Sequence, residues 1–295
     1  MGVTTSGQIL QVLDPAKQDV FMDGAIRLSD IDAFNWIRMR PAGTRTIEKA
    51  SINPPGTYAA KSEGSDYSWS AITQGNSKTY TLSENALAFQ VSSYSYHFMD
   101  KTTLAEYVGA VGAAGTRFLN NAAYGVLAGG FTDTGPDGVS LFNDAHPTEQ
   151  AGVTQDNRGS VALAESSLQA ALTLLRRQES PDGVLVASSP THLIVPPDLE
   201  FSGKELVGSD LSGADNQLNV IKGKGLSVLV APDLSDANDW FLIDAQAFRA
   251  YQFIAKGPMP MSYTDAASDN YRIKDSIIST QGYDGFRGSF GGSVA

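Results

Sequence analysis

The sequence predicts an α+β chain, with β segments arranged around one long helix and one compact unit of mixed helices and strands. Three observations predict it. Residues 100–129 carry apolar side chains at helical spacing; residues 159–250 pass repeatedly from helix-like to strand-like patterns; and the segments before and after them alternate apolar with polar side chains between turn signals. A length of 295 residues allows one large domain or two of ordinary size, and a 42% hydrophobic content suffices for a sizeable core.

Residues 1–45 hold short apolar clusters (Ile9, Leu10, Val12, Leu13; then Val20, Phe21, Met22) without a sustained period. Such a segment cannot bury much against itself. It either lies on its own domain or a neighbouring subunit, or it frays as a terminus. Residues 46–86 are rich in Gly, Ser, Pro, Asn and aromatics. Pro54-Pro55-Gly56 breaks the chain, Gly75-Asn76-Ser77 reads as a turn between two arms, and Thr79 to Leu82 alternates as a strand does. The segment reads as a long two-stranded flap. An isolated ribbon is marginal in water, so Tyr67, Trp69 and Tyr80 are expected to fix it to another surface. In 87–98 the apolar phase shifts from odd (Leu87, Phe89, Val91) to even (Tyr94, Tyr96, Phe98), as one extra residue near Ser92-Ser93 would cause.

Residues 100–129 predict a single helix capped by Asp100 or Thr102, with Leu104, Val108, Val111, Phe118 and Ala122 near one face. At about 1.5 Å per residue this is a rod of roughly 43 Å. Gly109, Gly112 and Gly115 lie inside it; glycine costs a helix interior about 1 kcal/mol, so close approach of another backbone is expected there. Residues 131–160 form a long connection with several turn signals. A helix is expected from Glu165 to Gln178, striped by Leu168, Leu172 and Leu175. A short buried strand, "THLIVP", leads through Pro196-Pro197 into a helix at "PDLEFSGKEL"; "NVIKG", "LSVLVAP" and "WFLIDA" then read as strands. In the tail, "PMPMSYTD" and "NYRIKDSIIST" flank an Ala-Ser-Asp-Asn turn.

The composition narrows the chemistry. No cysteine is present, so disulfides, thiolate catalysis and zinc–cysteine sites are excluded. The net charge is −11, from 32 acidic and 21 basic residues, and the densest basic cluster is Arg38, Arg40 and Arg45. A groove that grips nucleic acid needs more, although a surface lying near packaged nucleic acid would suit this charge. No basic segment followed by an apolar run opens the chain, so no signal peptide is expected, and no apolar run approaches the length of a membrane span. The three histidines are His97, His146 and His192. His97 sits in an aromatic strand and His192 opens a buried one, so both read as structural. His146, in "LFNDAHP" with Asp144, is the best chemical candidate. Yet no paired metal-binding histidines, no G-x-S-x-G elbow and no phosphate-binding loop accompany it, and "DTGPDG" lacks the spaced oxygens of a calcium loop. Asp144 and His146 therefore read as hydrogen-bond partners pinning a loop. No cofactor, metal or catalytic residue is expected.

Four stretches, in order, resemble a known family. "GVSLFNDAHP" resembles a G-x-x-L-F-x-x-x-H loop; "LAESSLQAALTLLRRQESPDGVLV" an L-S-x-x-S-L-x-A-A helix with its D-G turn; "PTHLIVPPDLE" an L-L-V-P-P-x-L-E element; and "NVIKGKGLSVLVAPDLSDANDWFLIDA" an N-V-x-x-G…V-x-x-x-P-x-L…W-x-L segment. Their order across 138–250 resembles the major capsid proteins of tailed double-stranded DNA phages, with the Hong Kong 97-type fold, and within them the Mu-like major head subunits.

The resemblance implies an N-terminal arm (1–45), an extended β-hairpin loop over an adjacent subunit (46–86), a peripheral domain with its spine helix (87–158, helix 100–129), an axial domain (159–250) and a return to the peripheral domain (251–295). It implies a virion shell protein, not an enzyme, assembled in the host cytoplasm into pentamers and hexamers of an icosahedral head. The head would enclose double-stranded DNA without sequence-specific binding, with a portal and decoration or cement proteins as partners and no membrane. Tyr67, Trp69, Tyr80, Leu82, Asp144 and His146 become candidate inter-subunit contacts. About 45 residues before the flap leave no room for a large cleaved scaffolding region, and no motif marks Lys61 or Lys78 for cross-linking. An encapsulin-like compartment around a cargo enzyme is the alternative; a hydrolase using Asp144 and His146 is a distant one.

Overall fold

The computed structural model describes residues 32–53, 58, 60–69, 72–148, 153–181, 183–211 and 218–294. The apolar clusters of 1–31, the Pro54–Gly56 break and the side chains of Leu104 and Val108 lie outside the described residues.

A 3-10 turn, Asp32–Asn35, buries Ala33 and delivers Trp36 and Ile37 into the core ahead of β1 (Arg38–Pro41). β2 (Thr46–Asn53) and β3 (Thr73–Thr81) pair antiparallel as the expected ribbon. Gly75-Asn76 is not its turn. Ala50 pairs with Ser77 and Ile52 with Gln74, so one β2 residue faces both Gly75 and Asn76. This is a bulge within β3, and the permissive backbones that favour turns favour bulges too.

β4 (Ser83–Val91) follows, then α1 (Ser93–Phe98) and α2 (Lys101–Ala128). The phase change near Ser92 is thus the start of a helix rather than a strand bulge. The Ser92 hydroxyl accepts from Ser95 N (3.2 Å) as its cap, and Tyr94 and Phe98, four apart, stay exposed while Tyr96 stacks on Tyr271 (4.4 Å between centroids). The close backbone approach expected at the glycines of α2 is not seen at Gly109, which has open space beside it, and Gly115 lines a small cleft with Asn85–Leu87 and Asp275–Ile277.

Among its described residues, the connection 129–160 contains a 3-10 turn (Gly129–Phe131) and the short strands β5 (His146–Pro147), β6 (Thr154–Gln155) and β7 (Arg158–Gly159). α3 (Glu165–Arg176), β8 (His192–Val195), α4 (Glu200–Gly208), β9 (Ser227–Val230) and β10 (Trp240–Ile243) come next. "NVIKG" is not a strand. The Asn219 side chain donates to the Leu206 and Ser209 carbonyls and accepts from Ile221 N; it fastens the segment to the end of α4, and a 3-10 turn at Lys222–Lys224 follows. β11 (Ala250–Lys256), β12 (Met261–Thr264), β13 (Tyr271–Tyr283) and β14 (Ser289–Gly292) complete the chain.

Two five-stranded sheets result. In the first, β13 is central, flanked by β11 and β12 on one side and by β4 along nine residues on the other, with β1 added parallel to β11. The second runs β7-β14-β10-β8-β9, so the chain's last strand lies in this sheet. Its middle strands are covered on both faces. Phe241, Ile243 and Ile194 pack with Leu119, Ala123, Tyr124 and Leu127 of α2. Trp240, Leu242, Leu193 and Val195 pack with Leu168, Leu172 and Leu175 of α3. Burial on both faces explains why "WFLI" and "HLIV" read as unbroken apolar runs. Ala250, Ile277 and Tyr283 of the first sheet join the α2 cluster, so the long helix is a wall common to both sheets. Among the described residues, no helix is long and apolar enough to cross a membrane.

Candidate assembly surfaces

The flap is anchored at one end. Tyr80 is buried: its hydroxyl donates to the Tyr283 carbonyl (2.5 Å), accepts from Tyr283 N (3.0 Å), and its ring lies 6.2 Å from Phe253. Burial pushes this hydroxyl up to about 12, so it remains a donor. Gly282 makes the seat possible, since a Cβ there would lie 2.1 Å from the Tyr80 ring. Leu82 is buried beside this root, and Leu82 N donates to the Arg45 carbonyl. Lys49, over the rings of Tyr251 and Phe253, and Lys78, whose Nζ donates to the Thr134 carbonyl, complete it. Beyond the root, the described residues 58, 60–69 and 72 are all exposed. Tyr67 is 73% exposed and Trp69 92%, with Lys61 resting over Tyr67 (4.7 Å) and Tyr58 and Ile72 exposed as well.

A second open surface runs along β4 and α1. β4 is hydrogen-bonded throughout its length, yet residues 83–88 are all exposed, so neither face of this edge is covered. Leu87, Tyr94, Phe98 and Tyr107 are exposed around it. A third follows α4, where Phe201, Leu211, Leu218 and Val220 face outward. Isolated exposed apolar side chains are ordinary, but three groups of large ones on one chain mark surfaces meant to be covered.

The loop site differs from its expected form. His146 is fully buried, and Asp144 is exposed and is not its partner. Nδ1 of His146 lies 2.6 Å from Asp137 Oδ2 and Nε2 lies 2.9 Å from Asn157 Oδ1, while the ring stacks on Phe286 at 3.6 Å. The turn carrying Asp137 is closed by the Thr134–Ser140 bridge and by Gly138 at φ +86°. Asn157 is the hub, bonding to Asn143, Leu141, Ser289 and Gly291. Neither group that meets the imidazole is a hydroxyl or thiol that it could activate, and among the described residues no set of three metal-ligating side chains occurs. The geometry is that of a clasp between chain segments. Sequence reasoning missed Asp137 and Asn157 because each lies around ten residues from His146 and is brought to it only by the turn and the hub.

Of the six candidate contacts, Tyr80, Leu82 and His146 are therefore consumed within their own subunit, and Tyr67, Trp69 and Asp144 are left at the surface. The periodicity that marks Tyr80 and Leu82 as adhesive is blind to which surface they adhere to.

Comparison with known proteins agrees with this arrangement. The family model described as Phage capsid protein matches residues 77–291. Among solved structures, the chain is similar to a subunit of the mature capsid of bacteriophage PhiM1 (TM-score 0.59, 10% identity, covering 89% of this chain and 86% of that one). It is similar also to the capsid of cyanophage P-SCSP1u (TM-score 0.61, 9% identity, 88% and 86%) and to the capsid of a native GTA particle (TM-score 0.57, 12% identity, 100% and 95%). No curated protein matches the sequence. The family shown is broader than the Mu-like group suggested by the motifs. The two sheets, the shared helical wall and the rooted flap carry the Hong Kong 97-type architecture, and the chain belongs to the phage capsid protein family as a major capsid protein.

Proposed function

We propose that the chain is the repeating subunit of an icosahedral phage head, assembled in the host cytoplasm from pentamers and hexamers and enclosing double-stranded DNA. The flap (46–86) reaches over an adjacent subunit and presents Tyr67 and Trp69, with Asp144 offered from the loop. The α2 region (87–158) and the returning strands (251–295) form the peripheral part, with β14 shared with the second sheet; 159–250 forms the axial part, whose exposed α4 residues meet their copies around the capsomer centre. The role is structural rather than enzymatic. A net charge of −11 suits a wall that contains DNA without gripping it. A portal and decoration proteins are the natural further partners, and Lys61 and Lys78 form no cross-link.

The observation that carries this reading is a flap fastened by Tyr80 at its root and bare at Trp69. Repeated head-to-tail contacts close into rings, and interfaces of about 2,000–5,000 Å² per pair are usual for obligate assemblies, an area that a bare ribbon helps to supply. Replacing 58–72 by Asn-Gly keeps the root intact. The expected product is a folded subunit that forms no closed shells in electron micrographs, and normal particles from that variant would refute the reading.

A further inference from the structure

We propose that the buried His146 and the half-buried Asp137 form an imidazolium–carboxylate pair, and that both are positioning residues that hold the turn on which the flap root rests. The hydrogen bonds assign the protons. Asn157 Nδ2 lies 2.8 Å from the Leu141 carbonyl and 3.3 Å from that of Ser289, and Oδ1 accepts from Asn143 N at 3.0 Å. Flipping the amide would set its NH₂ against that N–H and its oxygen against two carbonyls, so its orientation is fixed. The atom facing His146 Nε2 is therefore an acceptor, and Nε2 must donate. With Asp137 ionised, its carboxylate only accepts, so Nδ1 donates to it as well and neither neutral tautomer can serve both contacts; a protonated Asp137 donating to a bare Nδ1 would span the same 2.6 Å, and the ring-nitrogen signals distinguish the two.

Asp137 meets the ring directly, Asp156 interacts electrostatically with His146 and with Asp144, and Asp284 lines the same cleft as Asp137 and Phe286. Tyr283 faces Asp137, and Phe286 offers its ring face to the imidazole. Two cations lie nearby among the described residues: the Arg287 guanidinium, 4.9 Å from the Phe286 centroid, and Lys78 Nζ, 5.7 Å from the Tyr283 centroid. From this pair a chain of contacts leads to the flap: Asp137 lies in the turn closed by Gly135 N to the Val139 carbonyl, the same turn offers the Thr134 carbonyl to Lys78 of β3, and β3 carries Tyr80.

The proton assignment is independent of whether the flap reaches a neighbour. In a full-length His97→Gln/His192→Gln variant, His146 is the only histidine. Solid-state NMR of its ¹⁵N-histidine-labelled form at neutral pH should show both ring nitrogens protonated; a bare ring nitrogen would overturn the pair. For the positioning role, hydrogen exchange in Asp137→Asn should lose protection over 133–140 and 73–81 while 240–243 stays protected. Lys78→Met should lose it over 73–81 alone, with the His146 signal unchanged. Full protection of 73–81 in Lys78→Met would sever the link between pair and flap, even if Asp137→Asn does not fold.

Discussion

The ribbon of β2 and β3 and the paired strands β8 and β10 show that a hydrogen-bond ladder alone does not place a strand in a core. The ribbon has the longer strands, eight and nine residues against four and four. Yet every residue of β10 is buried, while along β3 from Gln74 only Tyr80 is. The difference is cover. β10 lies between α2 and α3 with apolar side chains on both faces; the ribbon presents Glu48, Gln74, Asn76, Ser77 and Thr79 to solvent and places its lysines, Lys49 and Lys78, at the root. One region is finished by its own chain. The other is finished only where Tyr80 and Leu82 tuck into the first sheet, and its far end awaits a surface the monomer does not supply.

The sharpest way to separate the two regions is to damage each. Phe241→Ala opens a hole between α2 and the second sheet and should cost about 3–5 kcal/mol. Chemical denaturation would show it, along with loss of soluble subunit. Gly282→Ala should cost less, about 1–3 kcal/mol, because its Cβ would collide with the Tyr80 ring and force the flap root to shift. Hydrogen exchange should then quicken in 46–53 and 73–81 but not in 240–243. Equal loosening of both regions would mean that the root belongs to the same cooperative unit as the core.

The same contrast explains what could be read in advance. α2, α3 and β13 were legible because their side chains repeat with the period of the element, β8, β9 and β10 because short apolar runs between turn signals mark covered strands, and β12 as an arm beside a turn. Gly75-Asn76 was not, since a bulge and a turn ask for the same backbones. β14 was not, since "SFGG" carries no alternation; it is a strand because Gly292 lets the Trp240 indole lie where a Cβ would meet it at 2.3 Å. Tyr67 and Trp69 were recognisable as apolar groups without a local partner. The His146 clasp was half legible: the imidazole stood out, while its carboxylate had to be found across a turn.

The exposed end of the ribbon offers the next test. Tyr67→Ser with Trp69→Ser should change the stability of the free subunit by no more than about 0.5 kcal/mol, as surface substitutions usually do, and still abolish closed shells. A large drop in the denaturation midpoint would show that these rings pack on their own subunit, and the contrast between the regions would fail.

The smallest effect belongs to the finished region and comes from pH. His192 opens β8, with Nδ1 2.7 Å from Thr191 Oγ1, and burial lowers its pKa from the usual 6.5. Below that value the unfolded chain takes up the proton more readily than the folded one, so this group's contribution is full above about 6.5 and is lost as pH falls toward its folded value. His192→Gln should flatten the fall in melting temperature on acidification and leave it unchanged at higher pH. Because the histidine belongs to β8 of the second sheet, any gain should appear as slower exchange at 192–195 and not in the ribbon. An identical acid slope in both proteins would mean that the imidazole is solvated in the folded state, and that the sheet is less closed at its His192 end than its burial implies.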